Sequence, residues 1–352
     1  MTDIEICQSI SHTRDMALNE RTLGSKTSPL VVSRLGLGAM GMSDLYGPAD
    51  EAESTATIHA AFDAGLTLID TGDFYGMGHN ELLIRDALRS SGRARGEVAI
   101  SVKFGAQRDY AGNWLGYDAR PAAVKTALAY TLRRLGTDYV DVYRPARLDP
   151  NVPIEETVGA IAEMVEAGYV RHIGLSEVGA ETLRRAQAVH PITDLQIEYS
   201  LVSRGIEKEI LPTVRELGIG VTAYGVLSRG LISGHWQADR QLSAGDFRGF
   251  SPRFQGDNLE ANLRLVEALR AVAEAKDASV AQVAIAWVLA QGDDIVPLVG
   301  ARRRERLTEA LGAAELVLEP ADLAAIEEAV PQGSAAGDRY VAAQMAHLDS
   351  EK

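Results

Sequence analysis

Leu66-Thr67-Leu68-Ile69-Asp70-Thr71-Gly72-Asp73-Phe74-Tyr75-Gly76 reads as a short apolar strand running into an acidic, tyrosine-bearing loop, and a helical pattern opens near His79. Two carboxylates and a phenol therefore stand on one loop at the C-terminal end of a strand. Parallel α/β proteins collect their chemistry at such ends. The same strand–loop–helix unit recurs on both sides of this stretch, and that recurrence decides the fold.

Upstream, Ser33-Arg34-Leu35-Gly36-Leu37-Gly38 gives a short strand, and a helical pattern at 51–64 stops at Gly65, as a glycine beyond a helix end does. Downstream, strands are expected at Val98–Lys103, Tyr139–Tyr143, Val170–Ser176, Asp194–Tyr199, Ile219–Tyr224 and Ile295–Val299. Helices are expected between them at 79–91, 121–135, 155–167, 180–189 and 206–217, with further ones at 260–275, 279–291, 303–313 and 320–330. Strands alternating with helices pair in parallel. Eight such units in 352 residues predict a (β/α)8 TIM barrel. Turn residues around 21–30 predict an N-terminal hairpin cap, and the late helices are C-terminal additions. The expected organisation is a flexible N-terminal extension over 1–16, one barrel domain over 17–331 and a polar C-terminal tail over 332–352.

Gly36-Leu37-Gly38-Ala39-Met40-Gly41 satisfies the dinucleotide-binding spacing G-x-G-x-x-G, yet its glycines begin inside a strand and the next helix waits about ten residues more. A doubly wound nucleotide domain is set aside on that ground. Small residues there still let a flat ligand approach, which makes Gly38 and Met40 candidate cofactor contacts.

Apolar residues are 46% of the chain and charged ones 24%, enough for a sizeable core. The net charge of −14 disfavours nucleic acid and anionic membranes as partners. The one cysteine, Cys7, permits no internal disulfide. With no signal-like start and no apolar run near 18 residues, the expected location is the cytoplasm. Homo-oligomer formation is compatible with the sequence. The histidines have no ligand-like spacing, so no metal is expected.

Lys103, closing an apolar strand, is a poor surface residue and a good buried partner. Set between Asp70 and Tyr75, it is expected to lower the phenol's pKa and ready it to give a proton to a carbonyl oxygen. A plain Asp–Lys ion pair with a packing tyrosine is the competing interpretation of the same residues.

DTGDFYG at 70–76, the strand ending in Lys103, GYVRHIGLSE at 168–177, QIEYS at 196–200 and AYGVLSRGLISG at 223–234 together resemble the aldo-keto reductase superfamily, over roughly residues 20–330. The resemblance implies a (β/α)8 barrel, NADP(H) as cofactor, and reduction of an aldehyde or ketone to an alcohol. It implies Asp70, Tyr75 and Lys103 as catalytic residues, with Tyr75 the general acid. Ser176 and Gln196 match positions that bind the nicotinamide carboxamide, and Tyr224 matches the aromatic that stacks on the nicotinamide. Gly225, Leu227, Arg229 and Gly230 match the segment along the pyrophosphate. Gly300, Arg302, Arg306 and Glu309 match the adenosine end, where Arg302 and Arg306, four apart, would clamp a 2′-phosphate and Glu309 would reach the adenine. Glu177 and Ala310 stand where asparagine is common.

The chief departure lies at strand four. Asp141-Val142-Tyr143-Arg144-Pro145-Ala146-Arg147-Leu148-Asp149-Pro150 places Ala146 where the family often has a histidine, and an alanine cannot orient a carbonyl. Arg144 or Arg147 could donate instead, or Arg147 could pair with Asp149. The substrate side is expected to include Trp114 and Arg147, with an aromatic aldehyde such as pyridoxal as one substrate, because pyridoxal reductase-like members resemble this departure. The competing function is an NADPH-binding regulatory or partner subunit with little turnover.

Overall fold

The computed structural model describes residues 20–43, 45–243 and 245–352, and the expected extension over 1–16 lies outside them. Eight parallel strands close into a barrel: β3 (Gly36–Gly38), β4 (Leu68–Gly72), β5 (Ala99–Phe104), β8 (Val140–Pro145), β9 (Val170–Ser176), β10 (Ile192–Glu198), β11 (Gly220–Tyr224) and β12 (Ile295–Gly300), with β12 pairing back onto β3. The helices of the repeating units are α1 (Glu51–Asp63), α2 (His79–Ser91), α3 (Pro121–Leu135), α4 (Ile154–Glu166), α5 (Ala180–Val189), α6 (Ile210–Leu217), α8 (Val280–Leu289) and α9 (Arg304–Leu311). α7 (Gly256–Ala275) and α10 (Pro320–Ala329) are additions to that scheme. Local chemistry sets their ends. Asp50 caps α1 through the Glu53 amide at 2.7 Å, Ser279 and Gln282 form a capping box on α8, and Pro121 opens α3.

The strand period of two divides each strand between two cores. Ile100, Val102 and Phe104 of β5 face the helices, where Phe104 stacks on Tyr143 with centroids 4.3 Å apart. Ser101 and Lys103 face the barrel interior. That interior is graded along its axis. Its floor is apolar: Leu68, Val142, Val296 and Leu298 meet Leu23, Leu30 and Val32 of the hairpin β1 (Glu20–Leu23) and β2 (Leu30–Ser33). Arg21 fastens the hairpin by donating to the carbonyls of Gly292 at 2.7 Å and Leu289 at 2.9 Å.

The middle of the barrel is ionic. Arg144, with no exposed surface, donates to Asp194 Oδ2 at 3.0 Å and Ser101 Oγ at 2.8 Å, and Ser101 donates to Asp70 Oδ2 at 2.9 Å. Gly174 makes this possible, because a Cβ there would lie 2.6 Å from Asp194 Oδ1 and 3.1 Å from Arg144 Cζ. A larger residue at 174 would force Asp194, Val142 or Arg144 to shift.

Two features depart from expectation. The loop 104–119 carries its own hairpin, β6 (Ala106–Arg108) with β7 (Trp114–Tyr117). The C-terminal segment is no free polar tail. After α10 it recrosses the barrel, adds the single turn α11 (Ala342–Met345), and buries Arg339 and Leu348.

Candidate active site

The loop after β4 is shaped by its glycines and its helix. Gly76, Met77 and Gly78 all take left-handed backbone, with φ of 55°, 54° and 97°. A Cβ at Gly78 would also stand 2.8 Å from Arg134 Cδ. The left-handed turn folds the chain back at once and leaves the Tyr75 ring over the barrel mouth. Asn80, fully buried in the first turn of α2, then fixes the loop: it accepts from Thr71 Oγ1 at 2.6 Å and donates to Ala39 O at 2.9 Å and Ser43 Oγ at 2.7 Å.

Lys103 lies beneath this tyrosine. Its Nζ donates to Asp70 Oδ1 and to Thr71 O at 2.9 Å, and stands 4.9 Å from the Tyr75 ring centroid. Asp70 also accepts from Gln196 Nε2 at 2.7 Å. Asp70, Lys103, Tyr75 and Gln196 are thus brought together on the interior face of three strand ends. The phenol oxygen of Tyr75 makes no hydrogen bond to any described residue, although the ring is nearly enclosed.

The electrostatics correct one expectation. Burial, followed by the Asp70 carboxylate, pushes the Tyr75 phenol well above its ordinary range, and the cation that opposes this is Arg147. The net shift is therefore upward, not the lowering expected of Lys103, whose Nζ sits under the ring and donates to Asp70. Burial in turn lowers the Lys103 ammonium, while Asp70 holds it up. Tyr75 is therefore a phenol kept protonated.

At strand four Ala146 is buried and its amide donates to Phe104 O at 2.8 Å. Arg144 is not a donor at the mouth, being sealed in the barrel axis. Arg147 is the residue that reaches the mouth, and it does not pair with Asp149. Its Nη1 donates to Ala146 O at 2.6 Å and Ser176 Oγ at 3.4 Å. Asp149 turns away, accepting from the amides of Ala119 at 3.1 Å and Asn151 at 2.9 Å.

Beyond Arg147 the mouth is walled by charge. Glu177, in left-handed backbone with φ of 54°, accepts from Arg339 through both oxygens at 2.8 and 2.5 Å, from Tyr224 at 2.7 Å and from Ser350 at 2.7 Å. Burial opposes its charge, but Arg339 and Arg147 together hold its carboxyl down to about 2. Because the single Tyr224 proton goes to Glu177, Tyr340 must donate to the Tyr224 oxygen, 2.9 Å away. Glu198 accepts from Arg229 at 2.9 Å, and Arg229 lies 4.4 Å over the Tyr340 ring. The C-terminal segment, not foreseen in this role, contributes Arg339 and Tyr340 to the site. The signal available in the sequence was Glu177, an acid on a barrel strand end that needed a buried cation.

After β11 the chain passes through Gly225, Ser228, Arg229 and Gly230, all with positive φ. It then crosses the mouth to β3's loop, where the Phe247 amide donates to Leu45 O at 3.0 Å and the Phe247 and Tyr46 rings meet edge-on at 5.2 Å. Arg302 borders this crossing and donates through Nη1 to Tyr46 O at 3.1 Å and Pro48 O at 3.2 Å. It precedes α9, so Arg302 and Arg306 do not share a helix face as expected. Arg306 and Glu309 pair with each other at 3.1 Å, and Glu309 also holds His235 at 2.8 Å, so both carboxylate oxygens are engaged by protein. Leu227 packs against the outer core, and Gly300 ends β12 with no atom near its absent Cβ. Gly38 and Met40 lie where β3 ends, Gly38 opposite Asp70 in register. Trp114 stands half-exposed on β7, 5.8 Å from Phe74, whose ring is 4.8 Å from Tyr75.

A model of the aldo/keto reductase family matches residues 34–331. The chain belongs to that family. It is 42% identical over 316 residues to the probable aldo-keto reductase 1 of Glycine max, covering 89% of this chain and 90% of the relative. Among solved structures, the glycerol dehydrogenase AKR11B4 from Gluconobacter oxydans superposes with a TM-score of 0.79 at 27% identity, over 95% of this chain and 97% of that one. The aldo-keto reductase AKR11C1 from Bacillus halodurans, in its holo form, gives 0.72 at 28% identity, over 91% and 98%. This aldo-keto reductase is accordingly an oxidoreductase of the carbonyl–alcohol class, and its family uses nicotinamide cofactors.

Proposed function

We propose that this chain is an NADPH-dependent reductase of aldehydes or ketones in which Tyr75 delivers the proton. The observation that carries this is the Tyr75 phenol, kept protonated by its surroundings and left without a protein partner at the barrel mouth. An alkoxide forming there is a much stronger base than a phenolate, so the proton passes from the Tyr75 oxygen to the carbonyl oxygen. Asp70 and Lys103 hold each other and support the ring from below, so their part is positioning and charge balance.

The donor set around the mouth fits a nicotinamide. Gln196 gives one amide proton to Asp70 Oδ2, and its Oε1 remains an acceptor for a carboxamide N–H. Ser176 retains a hydroxyl proton for the carboxamide oxygen. Arg302 has Nε and Nη2 without protein acceptors, a fork suited to a phosphate. Bound NADPH supplies the hydride. Aromatic aldehydes, pyridoxal among them, suit a mouth edged by Phe74, Trp114 and Tyr340. The competing role, a regulatory subunit that binds NADPH without turnover, draws its support from Ala146 alone.

The test is NADPH oxidation, followed by absorbance, with a panel of aromatic and aliphatic aldehydes, alongside NADPH binding by fluorescence. Turnover that falls by about 10²-fold or more in Tyr75→Phe, with cofactor affinity retained, is the expected result. Undiminished turnover in that variant overturns the role of Tyr75. Tight NADPH binding with no turnover of any aldehyde supports the subunit instead.

A further inference from the structure

We infer that the substrate of this site carries a carboxylate near its reacting carbonyl and that Arg147 receives it. The inference rests on the reductase reading above and names the substrate class of that site.

The charges around Tyr75 and the C-terminal segment are mostly paired. Asp70 is matched by Lys103, and Asp194 by Arg144. Glu177, Glu198 and Glu351 are matched by Arg339, Arg229 and Arg253, with separations between 2.5 and 3.6 Å. Arg147 alone in this group has no carboxylate within 4.0 Å among the described residues. Glu177, which acts on it electrostatically, and Asp149, two residues on, are committed elsewhere. Both oxygens of Glu177 are filled by Arg339, Tyr224 and Ser350, and Asp149 caps two backbone amides.

Only Nη1 of Arg147 is used, on a carbonyl and a serine hydroxyl. The Nε and Nη2 donors have no protein acceptor and are not sealed from the mouth. The guanidinium is near enough to Tyr75, Tyr117 and Tyr224 to oppose the rise of their pKa values, which puts it among the groups that surround the reacting centre. A half-buried guanidinium with an open fork is the complement of a planar carboxylate, which it can hold by two parallel hydrogen bonds. Glu177 lies near enough to interact with this charge but makes no direct contact with it, and an anionic substrate would supply the missing hydrogen-bonded partner. A neutral carbonyl compound would leave its Nε and Nη2 without a charged acceptor. Arg147 would thereby also fix the substrate's orientation, a task for which Ala146 has no polar atom.

The experiment uses three carboxyl aldehydes of increasing reach, glyoxylate, succinic semialdehyde and 4-carboxybenzaldehyde, each beside its methyl ester. NADPH oxidation should favour the acid of at least one pair by 10-fold or more in kcat/KM, and Arg147→Gln should bring that ratio near one, chiefly through KM. Arg147→Lys should retain part of the preference, which separates lost charge from misfolding. Calorimetric titration of 4-methylbenzoate, which has no alcohol or carbonyl to react, into the protein saturated with NADP⁺ gives a readout free of turnover, with affinity expected to fall 10-fold or more in Arg147→Gln. Esters reduced as well as acids in all three pairs would overturn the carboxylate site and leave the reductase standing. Carboxylate binding that depends on Arg147, without any turnover, would uphold the site and count against the reductase. Equal calorimetric affinity in wild type and Arg147→Gln would also overturn the inference.

Discussion

Arg339 and Glu177 are joined by two charge-assisted hydrogen bonds, one to each carboxylate oxygen, across 162 residues of chain. The pair ties the C-terminal segment to the end of β9, and Arg339 also reaches Glu198 at 3.4 Å. Removing the cation strands the buried Glu177 carboxylate, while Glu198 keeps Arg229 and Arg253; breaking a buried pair from one side costs about 3–5 kcal/mol. Arg339→Ala should therefore lower the urea midpoint strongly, and the double variant Arg339→Met with Glu177→Gln should recover part of the loss. The pH dependence has a defined sign. The Glu177 carboxyl falls from 4.5 to about 2 on folding, so its contribution is complete above pH 4.5 and disappears as the pH drops toward 2. Acid titration of stability should show a smaller decline across that window in Glu177→Gln than in the wild type.

Asp73 behaves in the opposite sense. Its Oδ1 is buried without a partner, and burial together with the nearby Glu81 carboxylate pushes its carboxyl from 3.8 up to about 7. The folded state thus holds this proton more tightly than the unfolded chain. Stability from this group is highest below pH 4 and is lost as the pH rises through 7. Because the residue is half-exposed overall, the penalty above pH 7 is discounted to roughly 1–3 kcal/mol. Asp73→Asn should be more stable than the wild type at pH 8 and differ little at pH 4, measured by denaturant titration at both values. A variant no more stable at pH 8 would contradict the buried, repelled carboxylate described here.

Much of this was legible in the sequence, for a physical reason. Strand and helix periods are local, and glycines at 92, 136 and 218 take the left-handed backbone that stops a helix, so the eight units could be counted. Asp70, Tyr75 and Lys103 stood at strand ends, which a barrel brings to one face. Partners set by distant backbone were not legible. Arg144 reads as a mouth donor until Gly174 and Asp194 are seen to draw it into the barrel axis. Arg147 seems bound to Asp149 at two residues' separation, but the strand end aims the two side chains apart. The C-terminal segment reads as polar because Arg339 and Asp349 are charged, yet each charge is spent on the barrel: Arg339 on Glu177, and Asp349 on the amide of Gly179 at 2.8 Å. Composition does not show where a charge goes.

Lys103 and Asp70 form one unit, and their substitutions should not add. Lys103→Met leaves a buried carboxylate held only by Gln196 and Ser101, at 2.7 and 2.9 Å. Asp70→Asn leaves a buried ammonium whose pKa is already lowered by burial. Each single change should reduce kcat by about 10²-fold or more if the pair positions Tyr75, and lower thermal stability. The double variant should be no worse than the poorer single, with a coupling of about 1–3 kcal/mol in a double-mutant cycle. Additive losses would show that the two residues act separately.

Arg302 bears on cofactor choice. It is half-buried, and burial followed by the neighbouring Arg248 guanidinium lowers its pKa, so it sits where a further anion would be welcome. Its Nη1 is occupied by the carbonyls of Tyr46 and Pro48, which fix the guanidinium plane, while Nε and Nη2 are open to a ligand. A 2′-phosphate distinguishes NADPH from NADH by two negative charges, and a bidentate arginine–phosphate contact is a strong one. Arg302→Ala should weaken NADPH binding by 10-fold or more and NADH binding by less than threefold, in fluorescence titrations at one fixed salt concentration. Raising the salt should narrow the wild-type preference for NADPH, since the contact is partly exposed and screened. Equal losses for the two cofactors would mean that Arg302 only braces the crossing loop through Tyr46 and Pro48, and that the phosphate is held elsewhere.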